Sequence, residues 1–270
     1  MKKKDVPAAE KLLFELENDY VSACGRFLAR EEPRDTVWLL CGKNEVFALV
    51  INSKSTIIPV FPGIKEIPDA NTLKKRLKKN RIYSVQGQKN EVLLLENMLA
   101  QTGMKPCDTY NYDLMNLDRE QGTGNKEVPN LVLRVPQLID LDAIAPLQAG
   151  YEKEEVLPRG SVFSPAASRV NLFNIIANGK ILIAQIDGRM AGKINVSAVS
   201  YTRYLVGGVY ICPEFRGLGI GRRMTSAFIS SLLSEGRGVT LFVKKNNTAA
   251  RRLYCGLGFS LRGDYRIAYY

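Results

Sequence analysis

Apolar residues recur at three- and four-residue steps at Leu12, Leu13, Leu16, Tyr20, Cys24, Phe27 and Leu28, behind Pro7, which suits the first turn of a helix. Two strand-like apolar runs follow, 36–41 and 46–51, joined at Gly42-Lys43-Asn44. A third, 56–61, stops at Pro62-Gly63. From Ala70 the helical period returns, with Leu73 and Leu77 turned one way and a run of Lys and Arg covering the rest. A short strand near 82–85, a helix over 89–99 and a strand near 110–115 complete this stretch. Residues 119–130 are polar and glycine-bearing, which marks a linker.

The pattern then starts again. A strand over 131–135 precedes a helix over about 140–151. Ser164-Pro165, an N-cap followed by a first-turn proline, opens a helix that runs to Ala177 and stops at Asn178-Gly179. Residues 181–186 and 190–199, around Asp187-Gly188, read as a β-hairpin. A strand over 204–211 leads through a glycine-rich turn into a helix over 222–233. Strand 238–243, helix 248–256 and strand 259–270 follow. Both stretches therefore run helix, hairpin, strand, turn, helix, strand, helix, strand, the order expected of a duplicated fold.

Composition narrows the class. The chain has 270 residues, 46% of them apolar and 24% charged, which suits two folded domains. No run approaches the roughly 20 apolar residues of a membrane span, and the basic start lacks an apolar signal core, so a cytoplasmic location is expected. Five scattered cysteines without a CxxC pair fit neither a disulfide framework nor a zinc site, and no metal is expected. The sequence contains no histidine, which removes Ser-His-Asp, Cys-His and His-metal chemistry together. The net charge of +11 gathers at 1–4 and 74–81. The second run reads as the solvated face of a helix, and neither run carries interleaved aromatics, so nucleic acid is not the expected partner.

The residues that carry chemistry begin with Arg216-Gly217-Leu218-Gly219-Ile220-Gly221, between a strand and a helix. Such a turn converges backbone N–H groups and a helix N-terminus on one point, which suits phosphate. The glycine spacing is tighter than the dinucleotide fingerprint, and no Gly-Lys-Ser/Thr follows as in a nucleotide P-loop. About 25 residues on stands Asn247-Thr248-Ala249-Ala250-Arg251-Arg252-Leu253-Tyr254-Cys255-Gly256-Leu257-Gly258-Phe259. With these two strings, and Pro213 ahead of the turn, the chain over 130–270 resembles the GNAT superfamily of N-acetyltransferases. That family carries Arg/Gln-x-x-Gly-x-Gly/Ala after its fourth strand and Asn-x-x-Ala-x-x-Leu-Tyr-x-x-x-Gly-Phe after its fifth. The stretch Tyr151-Glu152-Lys153-Glu154-Glu155-Val156, the Gly179-Lys180 hairpin and the preceding domain resemble a tandem, actinobacterial-type subgroup. In that subgroup the first half is a degenerate acetyltransferase-like domain.

The resemblance implies an α+β fold of tandem GNAT-like domains, each a mixed, mainly antiparallel twisted sheet flanked by helices. Residues 1–120 would be the degenerate domain, 121–130 the linker and 131–270 the acetyltransferase domain. It implies acetyl-CoA as cosubstrate and a primary amine as acceptor. The amides of Gly217, Leu218, Gly219, Ile220, Gly221 and Arg222 would grip the pyrophosphate, with Arg216 and Arg222 adding charge. Backbone of Val209, Tyr210 and Ile211 would pair with the pantetheine as an added strand, and one of its N–H groups could face the developing oxyanion. Asn247 would bind the pantetheine arm, Ala250 would leave room for it, and Tyr254 would protonate the departing thiolate. The base is open. The strand 207–212 has no carboxylate where many relatives place a glutamate, so Glu152, Glu154 and Glu155 are the candidates, against a plain reading as a solvated helix end. Cys212 and Cys255 read as core or incidental residues, since direct transfer needs no nucleophile. The alternatives are a non-catalytic module binding CoA or acyl-CoA, and an adaptor whose basic first half binds nucleic acid or an acidic protein. Pairing as a homodimer stays open.

Overall fold

The computed structural model describes residues 5–31, 34–42, 45–119 and 127–270. The basic run 1–4, the hairpin residues 43–44 and most of the linker, 120–126, lie outside them. Apolar alternation on strands and three-to-four spacing on helices place the elements close to where the sequence puts them. The first half contains α1 (Val6–Glu15), α2 (Glu17–Leu28), β1 (Thr36–Cys41), β2 (Val46–Ser53), β3 (Thr56–Val60), α3 (Ala70–Lys78), β4 (Ser84–Gln88), α4 (Lys89–Ala100) and β5 (Asp108–Leu117). The second contains β6 (Leu131–Arg134), α5 (Leu141–Tyr151), α6 (Pro165–Ala177), β7 (Ile181–Ile186), β8 (Arg189–Val199), β9 (Arg203–Ile211), α7 (Ile220–Leu233), β10 (Gly238–Lys244), α8 (Thr248–Cys255) and β11 (Ser260–Tyr269). The single helix expected over 7–28 is two. The chain leaves helical geometry at Leu16, and Tyr20 inside α2 is kinked. The break lets Glu17 bond Ser200 and Thr202, and Tyr20 bond Glu91.

The two expected sheets join into one sheet of 11 strands, in the order β1-β2-β3-β4-β11-β5-β10-β9-β8-β7-β6. All neighbours are antiparallel except β3 with β4 and β9 with β10. The two halves exchange their last strands. β5, from the first half, lies between β11 and β10, and β11, from the second, lies between β4 and β5. Helices cover both faces. In β2, Leu49 and Ile51 pack under α1 and α2, while Ala48 and Val50 pack under α3 and α4. In β7, Ile181 and Ile183 face α5 and α6, while Ala184 faces the α7 and α8 side. Burial on both faces is why these strands read as near-continuous apolar runs. In the basic helix α3, Leu73 and Leu77 are the buried positions.

Polar groups lock the junction. Arg203, at the start of β9 and 4% exposed, donates to Asn18 and Asp118 of the first half and to the Thr240 hydroxyl of β10. Asp113 of β5 is 2% exposed and pairs with Lys245 at 3.0 Å and Arg251 at 2.6 Å, so the first half holds the start of α8. Among the described residues, no helix is long and apolar enough to cross a membrane.

Candidate functional site

The parallel pair β9 and β10 opens like a V. Their pairing runs from Arg203 opposite Gly238 to Val206 opposite Leu241 and stops there. Beyond that point β9 stays on β8, with Tyr210 opposite Lys193 and Ile211 opposite Gly192, while β10 stays on β5. The break coincides with Gly207-Gly208, where β9 slips register against β8 and Gly208 takes φ +61°. A side chain at Gly208 would collide with the Asn195 carboxamide, so glycine is required there by conformation and by space. Edge groups of β9 and β10 inside the V have no strand to pair with, which is the backbone an extended ligand can use.

A cavity of about 340 Å³ fills the V. Gly207, Gly208 and Val209 form one wall, residues 241–244 of β10 the other, and Asn247, Ala250 and Tyr254 of the α8 segment the third side. Tyr151 and Glu155 close it from the α5 side. Tyr112, Tyr265 and Tyr269 of the exchanged strands β5 and β11 line its far end, so the first half contributes to the wall.

Of the residues singled out in the sequence, Val209, Asn247, Ala250, Tyr254 and Glu155 line this cavity. Asn247 caps α8, its side-chain oxygen accepting from the Ala250 N–H at 3.1 Å. Tyr254 is 6% exposed and meets Phe259 edge-on at 5.8 Å. Burial, with added repulsion from Tyr151 and Glu155, pushes its phenol above the ordinary range, so it carries its proton. Tyr210 turns away from the V, into the core beneath α5, and Ile211 packs against the core on the opposite face.

The glycine turn, 216–221, lies where β9 ends and does not line the cavity. A 3-10 turn, Pro213–Phe215, leads into it. Gly217 and Gly219 have φ of +81° and +82°, and Gly219 caps α7. The first-turn amides of α7, from Ile220 on, have no acceptor within the helix. Leu218 is exposed, and a Cβ at Gly221 would meet Ile211 and Leu253 at ordinary contact distance. Both guanidinium groups bond protein atoms. Arg216 donates to the Ile211 carbonyl at 3.0 Å and to Glu154 at 2.8 Å, and Arg222 donates to the Gly256 carbonyl at 2.9 Å.

The three candidate carboxylates sit on a π-helical turn, Glu152–Val156, that ends α5. Such turns recur at functional sites because they re-aim side chains within a helix. Glu152 accepts from Gln148 at 2.8 Å, away from the cavity. Glu154 bonds the Tyr210 hydroxyl and Arg216, each at 2.8 Å. Partial burial works against its charge, yet those two donors hold its carboxyl below the usual glutamate range. Glu155, on the cavity wall, pairs with Lys244 at 3.1 Å.

Lys193 and Asn195 escaped the sequence reading. Both are buried on β8 behind the bulge, Lys193 being 0% exposed. Its ammonium donates to the Gly208 carbonyl and to Asn195, each at 3.0 Å, and lies 4.8 Å from the Tyr151 ring centre. The Tyr151 oxygen in turn faces the Gly208 N–H. Burial pulls the Lys193 ammonium down to about 7, with Glu152 opposing. A lysine on a strand reads as a solvent-facing residue. The signal was the adjacent Gly207-Gly208, which marks a bulge wherever glycines interrupt a strand.

Residues 149–259 match the model of the acetyltransferase (GNAT) family. A mycothiol acetyltransferase from Thermobispora bispora is 48% identical over 59 residues, 20% of this chain and 20% of that protein. A 5-NmdU N-acetyltransferase from Pseudomonas phage PaMx11 is 30% identical over 90 residues, 32% of this chain and 61% of that protein. The matched part of the chain thus spans a fifth of one relative's length and about three fifths of the other's. Among solved structures, a tandem GNAT protein from the clavulanic acid biosynthesis pathway superposes with a TM-score of 0.61 at 15% identity, covering 99% of this chain and 95% of that one. That likeness extends the fold over both halves.

Proposed function

We propose that the protein, whose residues 149–259 match the model of the acetyltransferase (GNAT) family, transfers an acetyl group from acetyl-CoA to a primary amine by direct attack. The observation that carries the reading is the V between β9 and β10, with a cavity of about 340 Å³ inside it and a glycine turn where β9 ends. The residues present fit the ligand. Amides of Gly217, Leu218, Gly219, Ile220, Gly221 and Arg222 would take the pyrophosphate at the α7 N-terminus. Backbone of Val209, Tyr210 and Ile211 would meet the pantetheine amides, with Asn247 and Ala250 on the facing side. Arg216 would exchange Glu154 for phosphate.

The amine nitrogen attacks the acetyl carbonyl carbon, the C–S bond breaks, and the electron pair leaves on sulfur. Tyr254 supplies the proton to the thiolate. A phenol raised by burial is a weaker acid than a free one, so donation runs together with C–S cleavage. The proton lost by the amine goes to Glu155, the one candidate carboxylate on the cavity wall, and returns to Tyr254 through solvent. The reading is tested by calorimetry with acetyl-CoA, followed by release of free CoA over polyamines, amino acids, aminoglycosides and peptide N-termini. Gly219→Val, placed at a φ of +82°, is expected to abolish binding. If wild type does not bind acetyl-CoA, the reading fails. Binding without transfer to any amine favours a non-catalytic CoA-binding module, for which the engagement of Glu154 and Glu155 in ion pairs also speaks.

A further inference from the structure

The geometry points to Lys193 as a positioning residue for acyl transfer, its buried charge polarising the Gly208–Val209 peptide toward the acetyl carbonyl; this rests on the acetyl-CoA reading above. Burying an ammonium without a carboxylate partner costs several kcal/mol, and among the described residues Lys193 makes no ion pair. The side chain is fully buried all the same, and its contacts converge on one spot. Its nitrogen meets the Gly208 carbonyl and the Asn195 carboxamide, each at 3.0 Å, and the face of Tyr151 at 4.8 Å. These are three acceptors for the three ammonium protons, so the contacts favour the charged form.

Within a planar trans peptide, the carbonyl and the following N–H point in opposite directions. The carbonyl of Gly208 points to Lys193, so the N–H of Val209 points away from it, and Val209 lines the cavity. A cation bonded to one end of a peptide draws electrons through it and strengthens the donor at the other. The Val209 N–H is thereby a stronger donor where a thioester oxygen gains negative charge. Lys193 does this without touching the ligand. Tyr151, facing the Gly208 N–H, fixes the other side of the bulge.

The test, run at about pH 6 so that the Lys193 amine, pulled down to about 7, holds its proton, is isotope-edited infrared spectroscopy of carbonyl-labelled acetyl-CoA bound to wild type, Lys193→Met and Lys193→Gln, beside calorimetric affinity for acetyl-CoA. Methionine keeps the volume and removes the charge, and glutamine keeps a donor without the charge. In wild type the bound carbonyl stretch is expected below that of the free ligand. In both variants it moves back toward the free value, with affinity within about threefold of wild type. With any amine accepted by wild type, kcat falls roughly ten- to a hundredfold, less than for loss of a whole oxyanion donor. A carbonyl frequency equal in wild type and either folded variant overturns the inference and leaves the acetyl-CoA reading standing. No binding by wild type overturns both.

Discussion

Lys193→Met should also change stability in a way that depends on pH. Burial pulls the amine from its ordinary 10.5 to about 7. Between those values the unfolded chain holds the proton and the folded chain does not, so wild-type stability rises with pH across that window. Taken from about pH 6 to about pH 9, the rise is about 2.5 kcal/mol, and methionine, having no proton to lose, does not share it. Loss of the hydrogen bonds to Gly208 and Asn195 adds a constant penalty of about 1–3 kcal/mol at both pH values. The groups facing Lys193 do not blur the comparison. Tyr151 and Tyr210 are both pushed up by burial, Tyr210 to about 12, and keep their protons. Glu154 is held low by Arg216 and Tyr210, and Glu152 is common to both proteins. The assay is urea unfolding of both proteins at the two pH values. The variant should lose about 2.5 kcal/mol relative to wild type on going to the higher pH. A difference between the two proteins that stays constant with pH refutes the reasoning, because it would mean that the Lys193 amine does not titrate in that range.

Three other perturbations follow from the same geometry. Tyr254→Phe removes the hydroxyl on the cavity wall, and steady-state kinetics should show kcat down roughly a hundredfold with the acetyl-CoA KM within about twofold; an unchanged kcat removes Tyr254 from proton transfer. Glu91, beneath Tyr20, is raised by burial to about 7, with the Tyr20 and Phe61 bonds opposing. Its folded form keeps a proton that the unfolded chain releases above the ordinary 4.5, so stability falls as pH climbs from there to about 7. Glu91→Gln should therefore gain about 3 kcal/mol on wild type between about pH 4 and about pH 8, and a gain independent of pH would contradict it. Arg203→Met cuts the bonds from β9 to Asn18, Asp118 and Thr240 and should cost about 3 kcal/mol in chemical denaturation; a loss under about 1 kcal/mol would show that the junction does not depend on it.

Local patterns carried most of the element assignment. Ser164-Pro165 starts α6 where capping chemistry requires, and Leu73 and Leu77 face inward on α3. The glycine turn was legible because Gly217 and Gly219 stand at positive φ, which few other residues tolerate. The exchange of β5 and β11 was not legible. The pairing of Asp113 with Asp264 joins residues far apart in the chain, and strand periodicity says nothing about partners. Tyr112 and Tyr269 therefore enter the cavity with no local mark. Lys193 stayed hidden because its meaning lies in Gly208, on another strand. The break at Leu16 was masked because the apolar stripe continues through it.

The exchanged strands have a consequence for how the chain acquires its structure. Each half, taken as a contiguous piece of sequence, ends in a strand that completes the other half's pleat, much as in a domain-swapped dimer closed within a single molecule. Neither half can finish alone, since β5 must wait for β10 and β11, which are synthesised after it. A gene cut between 119 and 127 should yield two fragments that are insoluble apart, with raw strand edges, and soluble when co-expressed. Stable, monomeric fragments would show that the interlocking is dispensable. The half without the glycine turn is thus a permanent folding partner of the half that has it.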